Sequence, residues 1–546
     1  MPVLTFIDIT GIQEFVFLSN RLSDAVAGSV LVERATGRNG VLSELAPKNG
    51  GEVIIAAGGN AQIRFGDMAS ARRFAAEYSR GLFERAPGLE AVIRHREYAD
   101  NELARTIKAL QRDITKAKLT REPSARPLGL SVTAECSETR LPATCIVRQA
   151  TDEPPILAAS SIEARRCSSL RQSSDPVFPS FQEGKGPVVD LIYPLDIDNL
   201  GRSRTDTSLI GVVHVDGNRM GSRLAQWLEE QSERGVSDEV LEAEYRKISG
   251  AIDELSKRCS KAISERIRDA IRWRDGSSLG EGSTQSPGKA ERAYVLHSSI
   301  LDEDFPLKRV REGARDVVYL PVRPIIAGGD DITFVCDGRI ALDLAETMLR
   351  CFMENPIYGL EKVTASAGVA IGKSHAPFKR LYDVAERLCQ SAKHHLHEQR
   401  LDDSCMDWHI GLPRVDSIDA LRKQVYTSPD GAYRLTCRPY PLGTSPDQAE
   451  TWTWLSETIL GSRSRNTTAL FGEDWQRHRT KLNSLRTALI NGPDVVEKSV
   501  ESWNVLSGIP RLPGGNDLAR RGFIGRHTPF LDAIELIDIH FPLGKE

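Results

Sequence analysis

Nine cysteines in 546 residues, none of them in a C-x-x-C pair, are too few and too scattered for a disulfide framework; they suit a reducing compartment. Long apolar runs are missing as well. No stretch approaches the roughly 18 residues needed to span a bilayer. The start, Met1-Pro2-Val3-Leu4-Thr5, lacks a basic n-region, and Asp8 interrupts the apolar residues after Thr5, so no signal peptide is expected. Charge of one sign is absent too: 71 Lys and Arg stand against 75 Asp and Glu, a formal charge of −4. That balance excludes a free-standing, non-specific nucleic-acid binder, which would be basic. At 40% hydrophobic and 27% charged residues the chain is not disordered. Its length suggests three to five domains at roughly 100–200 residues each. The expectation is a cytoplasmic, multi-domain protein.

What is present is a duplication. Two segments share a plan of apolar strand, small-residue turn, amphipathic helix and, later, a strand–Gly-Gly–strand hairpin. The first opens at Phe6-Ile7-Asp8-Ile9-Thr10-Gly11-Ile12-Gln13, with the hairpin Val53-Ile54-Ile55-Ala56-Ala57-Gly58-Gly59-Asn60-Ala61. The second opens at Val212-Val213-His214-Val215-Asp216-Gly217-Asn218-Arg219-Met220-Gly221, with the hairpin Pro324-Ile325-Ile326-Ala327-Gly328-Gly329-Asp330-Asp331-Ile332-Thr333-Phe334. Superposed by their turns, Thr10 falls on Asp216, and Asn60 and Ala61 fall on Asp330 and Asp331. The first copy thus keeps the glycines and loses the carboxylates. Gly-Gly turns are common, and two hairpins can also look alike by chance.

Periodicity places the second copy's elements. Met220, Leu224, Trp227 and Leu228 share one helix face. Leu241, Tyr245, Ile248, Ile252, Leu255 and Cys259 mark a second helix ending near Trp273. A flexible insertion from Asp275 through Gly288 comes next and accounts for this copy's greater length. Leu342, Ala345, Leu349 and Phe352 predict a helix after the Asp-Asp turn. Val363, Ala365, Ala367, Val369 and Ile371 alternate as a strand, and Leu381, Val384, Ala385, Leu388 and Ala392 predict a helix with Lys393 just off its apolar face. The order is that of an α+β domain with helices covering a sheet. The expected division is a first copy over 1–115, a connecting domain over 116–205, a second copy over 206–412 and a mainly helical C-terminal domain over 413–546. Phe530–Ile537 reads equally as helix or strand.

Asp216 ends a buried strand directly before a glycine, and Asp330 and Asp331 sit at a hairpin tip. If the strands are neighbours the carboxylates converge, and they repel unless a cation neutralises them. Oxygen-rich carboxylate sites suit Mg²⁺ or Mn²⁺, which retain waters and take phosphate ligands. Such ions activate an attacking hydroxyl and stabilise leaving pyrophosphate. Gly217, Gly328 and Gly329 leave the backbone open to triphosphate oxygens, and Lys393 supplies a positive charge for them. Each piece alone has a plainer reading: a solvated hairpin tip, an N-cap by Asp216 or Asn218, a solvated lysine. The constellation is what points to a site.

The Asp216–Gly221 turn, the Pro324–Asp331 hairpin and Ser366-Ala367-Gly368-Val369-Ala370 resemble the catalytic palm of the CRISPR polymerase family, the large subunits of type III CRISPR effector complexes, related to GGDEF and adenylyl-cyclase palms. Gly11-Ile12-Gln13-Glu14-Phe15, with Gly28-Ser29 downstream, is similar to the opening of that family's first, degenerate palm. The resemblance implies two ferredoxin-like palms and a synthase that joins ATP into cyclic oligoadenylate in antiviral defence. It implies Asp216, Asp330 and Asp331 as metal-binding carboxylates, with Gly217, Asn218, Gly328, Gly329 and Lys393 around the nucleotide. The first palm would hold a second nucleotide without catalysing. Guide and target RNA and other effector subunits are the implied partners.

Two departures bear on that reading. The dipeptide His-Asp occurs nowhere, so the family's HD nuclease domain is expected to be absent. Cys136, Cys145 and Cys167 stand alone in the connecting region, where family members often pair cysteines around zinc; reduced thiols are expected. A self-standing synthase, as a homodimer or alone, and a non-catalytic scaffold therefore stay open beside the effector subunit. A diguanylate cyclase is a third reading, set against by Gly-Gly-Asp-Asp where Gly-Gly-Asp-Glu-Phe would stand. The basic residues Arg105, Lys108, Arg112, Lys116, Lys118 and Arg121 are either an RNA contact or a solvated helix face.

Overall fold

The computed structural model describes residues 1–37, 40–121, 129–130, 132–148, 154–166, 176–200, 209–274, 293–313, 315–360, 362–413, 417–463, 468–507 and 511–544. The insertion expected from Asp275 and the thiol of Cys167 lie outside them.

Alternating apolar residues in Val3–Thr10 make β1, the centre of the first sheet. After it come α1 (Ile12–Val16), α2 (Leu22–Thr36), α3 (Val41–Lys48), β2 (Glu52–Ala57), β3 (Asn60–Phe65), α4 (Met68–Arg85), β4 (Glu90–Glu97) and α5 (Leu103–Thr120). The sheet order is β2-β3-β1-β4, antiparallel throughout, which is the ferredoxin-like βαββαβ arrangement. Val3, Ile7 and Ile9 pack against α2–α4, whereas Leu4 and Phe6 on the other face meet α5. The final helix runs past position 115, the expected end of the first palm.

The region 116–205 does not hold together as one connecting unit. Strands β5 (Cys145–Val147) and β6 (Ile156–Ala158) and helix α6 (Ser160–Arg165) lie against the first palm. Fully buried Arg165 donates to the carbonyls of Phe15, Val16 and Asp24, and Arg166 pairs with Asp24 at 2.9 Å. Strands β7 (Phe178–Phe181) and β8 (Val189–Ile192) instead join a sheet of the second palm's insertion.

That palm begins with β9 (Leu209–Gly217), α7 (Met220–Glu233) and α8 (Asp238–Asp269). The stripe from Leu241 to Cys259 is buried as its spacing predicts except at half-buried Ile252, but Trp273 belongs to a strand, β10 (Ile271–Arg274), not to the helix end. Four more strands that periodicity does not show come after it: β11 (Ala293–Ser298), β12 (Glu303–Pro306), β13 (Arg309–Glu312) and β14 (Arg315–Tyr319). They lengthen the second copy along with its insertion. The palm resumes with β15 (Val322–Gly328), β16 (Asp331–Asp337), α9 (Ala341–Glu354), β17 (Ala365–Lys373), α10 (Phe378–Gln399) and β18 (Cys405–Ile410). Helix α11 (Ile418–Val425) and the short β19 (Tyr440–Pro441) complete a sheet ordered β15-β16-β9-β17-β18-β19.

The first four of these strands repeat the order of the first palm. Helices α8 and α9 cover one face and α10 the other. Small residues on β17 allow this: a Cβ on Gly368 would lie 1.8 Å from the Ala385 carbonyl oxygen of α10. The C-terminal region is mainly helical, Phe530–Ile537 being a helix, and it shares the second palm's core. Trp408, Trp452, Trp475 and Leu485 belong to the cluster that contains Val213 and Val215, so the core crosses position 412. The fold is α+β, with two ferredoxin-like palms. Among the described residues no helix is long and apolar enough to cross a membrane.

Candidate functional site

Antiparallel pairing sets Asp216 of β9 directly opposite Asp331 of β16, so both side chains leave the same face of the sheet. Helix α10 crosses that face and presents Lys393, whose Nζ lies 2.5 Å from Asp216 Oδ2 and 3.2 Å from the Gly217 carbonyl oxygen. Asp330 occupies the turn beside Gly217, whose amide donates to the Asp330 carbonyl at 3.2 Å. The three carboxylates therefore form a cross-strand pair with a neighbour at the turn. Among the described residues no three His, Cys, Asp or Glu side chains stand as a ready cation cluster.

Asn218 is committed elsewhere. Its amide donates to Thr364 Oγ1 at 3.1 Å and its Oδ1 accepts from Ser366 Oγ at 2.9 Å, so it braces the turn against β17. Neither Asp216 nor Asn218 caps α7: Arg219 precedes that helix with φ 59° and no side-chain cap. Gly328 and Gly329 lie at the hairpin tip.

Two participants escape sequence reasoning. His214, two positions before Asp216 on the same face, hydrogen bonds Thr333 Oγ1 at 3.0 Å and lies 3.4 Å from Asp331 Oδ1. Burial holds its pKa below the ordinary value, so the ring is neutral. The period-two alternation of β9 is the signal that could have found it. Gln13 of the first palm, the other, has no such signal; it acts on Asp331 and Tyr382 from a different segment.

Electrostatics at the pair favour a bound cation. Burial raises Asp331 to about 7, reinforced by the charges of Asp216 and Glu386 and opposed by Lys393 and Gln13. Burial raises Asp330 to about 6, with Asp216 and Asp331 adding to it. Asp331 Oδ1 is buried without a hydrogen-bond partner of good geometry. A hard divalent cation would satisfy that oxygen and relieve the mutual repulsion. The donor set fits Mg²⁺ or Mn²⁺, with Lys393 holding Asp216 as an internal cation.

Gly217 keeps this arrangement possible. A Cβ there would come 2.7 Å from Met220 Cγ and 2.8 Å from Asp330 Cβ. Gly217→Ala is expected to displace Asp330 and weaken Mn²⁺ binding at least about tenfold with the circular dichroism spectrum unchanged; wild-type affinity in the folded variant would refute the close fit.

The strand register corrects the superposition of the two copies. Asp8 of β1 stands opposite Asn60 of β3 as Asp216 stands opposite Asp331. Asp8, not Thr10, is thus the counterpart of Asp216, and Gly59 and Asn60 take the places of Asp330 and Asp331. One carboxylate is retained after all. Lys118 Nζ meets Asp8 Oδ2 at 2.5 Å, and Lys118 and Lys393 each lie fifteen positions past the first residue of α5 and α10. Thr10 accepts from Arg121 Nη1 at 3.1 Å. Three of the six basic residues between Arg105 and Arg121 are engaged in ion pairs: Lys118 on Asp8, Arg121 on Glu90 and Lys108 on Glu229.

The palms face each other hairpin to hairpin. A Cβ on Gly328 would lie 3.1 Å from Gly58 Cα. Beside this contact a cavity of about 1410 Å³ is lined by Ile12, Gly58, Gly59, Ala327, Gly328 and Asp331 among others. A second cavity of about 330 Å³, on the Lys393 side, gathers Arg219, Arg223, His394 and His397.

Residues 209–401 match the family model described as Cas10/Cmr2, second palm domain. Among solved structures, a Csm1–Csm4 cassette in complex with cA3 aligns at 16% identity and TM-score 0.52, covering 99% of this chain and 69% of that one. The cassette in complex with AMPPNP aligns at 15% identity and TM-score 0.52, covering 100% and 70%. The Csm1–Csm4 subcomplex of the type III-A CRISPR-Csm interference complex aligns at 16% identity and TM-score 0.51, covering 100% and 70%. At such identities the likeness is one of fold. No curated protein matches in sequence.

Proposed function

We propose, on the premise that residues 209–401 form a Cas10/Cmr2 second palm domain, that this protein is a metal-dependent nucleotidyltransferase that joins ATP into cyclic oligoadenylate as the large subunit of a type III CRISPR effector complex. The observation that carries the reading is the Asp216–Asp331 pair: two carboxylates directly opposed, one oxygen unsatisfied, with Asp331 lining a cavity shared with a second palm. A purely structural pair would be expected to have that oxygen satisfied. Complexes with cA3 and AMPPNP among the similar folds support adenine as the base.

In this mechanism Asp216, Asp330 and Asp331 would hold Mg²⁺ or Mn²⁺, which when bound would supply the charge to acidify an attacking hydroxyl and neutralise a leaving pyrophosphate. Lys393, released from Asp216, turns to the triphosphate, and Arg219 and Arg223 extend the positive lining. Gly217, Gly328 and Gly329 admit phosphate oxygens close to the backbone. The first palm, whose Ile12, Gly58 and Gly59 line the cavity, positions the second nucleotide across it. Neutral His214, itself buried, buttresses Asp331 from within the sheet face.

The test is to incubate the purified protein with ATP or GTP and Mg²⁺ or Mn²⁺, with and without RNA and co-purified subunits, and to identify products by mass spectrometry. Cyclic adenylates that vanish in Asp330→Ala/Asp331→Ala are expected. GTP-only products would overturn the base assignment, and undiminished synthesis by the double variant would overturn the site. Activity of the isolated chain would favour a self-standing synthase over a complex subunit.

A further inference from the structure

Helices α8 and α9 lie side by side on the sheet face away from Asp216, and there Cys259 and Cys351 meet, their Sγ atoms 2.9 Å apart. The two thiols are not equivalent. Cys259 is 0% exposed, whereas Cys351 is 7% exposed and lines a cavity of about 700 Å³. Arg258, Glu354, Asn355 and His540 share that wall. Cys259 donates its S–H to Cys351, and Asn355 Nδ2 lies 3.6 Å from the same sulfur.

We propose that Cys351 and Cys259 are an oxidative modification site, in which Cys351 meets a small hydroperoxide in the cavity and Cys259 resolves the product as a disulfide that ties α8 to α9. The hydrogen bond from Cys259 holds the Cys351 thiol below its ordinary value; Arg258 adds to this, while burial and Glu354 oppose it. The donor, Cys259, is raised in turn. The outer sulfur is therefore the nucleophile and the inner one waits as a thiol.

The chemistry balances with hydrogen peroxide as the named oxidant. The Cys351 thiolate attacks one peroxide oxygen; the S–O bond forms, the O–O bond breaks, and hydroxide leaves and takes up the Cys351 proton as water. The Cys259 sulfur then attacks the sulfenic sulfur. The S–S bond forms, the S–O bond breaks, and a second water carries off the Cys259 proton. Two thiols lose two electrons and one peroxide becomes two waters. With 92 positions between the partners, the crosslink closes a long loop and constrains the unfolded chain strongly.

The full chain is titrated with hydrogen peroxide under native conditions, alkylated, digested and mapped by mass spectrometry. A linked Cys259–Cys351 peptide is expected ahead of modification at the partly exposed Cys145 and Cys437, reversed by dithiothreitol. The oxidised protein should melt several degrees higher, and Cys351→Ala should lack that rise. Cys259→Ala should accumulate a dimedone-reactive sulfenic acid at Cys351. Cys351 left intact at doses that oxidise Cys145 or Cys437, or over-oxidised in the wild type without a crosslink, overturns the proposal. If a variant fails to fold, the wild-type peptide map decides alone.

Discussion

Replacing Asp330 and Asp331 by asparagine should sharply reduce nucleotide condensation and, in metal-free buffer at pH 8, raise the melting temperature. The two effects share one cause. Both carboxyls titrate above their ordinary 3.8, Asp331 at about 7 and Asp330 at about 6. The folded state therefore keeps protons that the unfolded chain releases between pH ~4 and ~7, and stability falls as pH rises through that window. Each pKa unit corresponds to about 1.4 kcal/mol, so ionising Asp331 costs the fold up to about 4 kcal/mol, with Asp330 adding less because the pair is coupled. Asparagine carries no charge, so the variant should lack this slope: the gain is largest at pH 8 and vanishes near pH 4. Differential scanning calorimetry across pH checks it. Added Mn²⁺ should stabilise the wild type and leave the variant unmoved, and turnover should drop on the order of 10²–10³-fold or more. A double variant that is less stable than wild type at pH 8 would mark the carboxylates as satisfied structural groups.

How far the site is legible in the sequence depends on the range of each signal. The Asp216 turn, the Gly328–Asp331 hairpin and the Lys393 helix are local patterns, and each lies on the element its spacing predicts. The register of the first palm is not local. Thr10 and Asp8 differ by two positions, so both face the same side of β1, and turn glycines alone cannot choose between them. Only the cross-strand register, which sets Asp8 opposite Asn60, makes the choice. Gln13 reaches Asp331 from some three hundred residues away, a juxtaposition that only the packing of palm on palm creates. Strands β10–β14 are short and sit in small sheets apart from the palm sheet, so no alternation long enough to read sets them apart. The connecting region divides against expectation for a related reason: β8 pairs in parallel with β14, far along the chain.

Lys393→Met should bind Mn²⁺ about tenfold more tightly than the wild type while raising the KM for nucleotide by a similar factor. Lys393 lies 2.5 Å from Asp216 Oδ2, with both side chains about a quarter exposed. In the metal-free protein it is the ion that a divalent cation must displace. Removing it frees Asp216 for metal, a gain of roughly 1.4 kcal/mol for tenfold, and removes the charge that a bound triphosphate would recruit. A merely structural lysine would move neither quantity, or would lower stability alone. The matching change in the first palm, Lys118→Met, tests the asymmetry of the two copies. Asp8 there is raised by burial, against the pull of Lys118, so it too sits uneasily as an anion without its partner. If the first palm positions the second nucleotide, Lys118→Met should leave Mn²⁺ affinity at the Asp216 site unchanged and raise only the concentration of ATP needed to half-saturate product formation. Calorimetric metal titration and initial rates over a range of ATP separate the outcomes. Equal losses of metal affinity in both variants would mean that the palms act as one site, and unchanged kinetics in Lys118→Met would reduce the Asp8–Lys118 pair to a strut between β1 and α5.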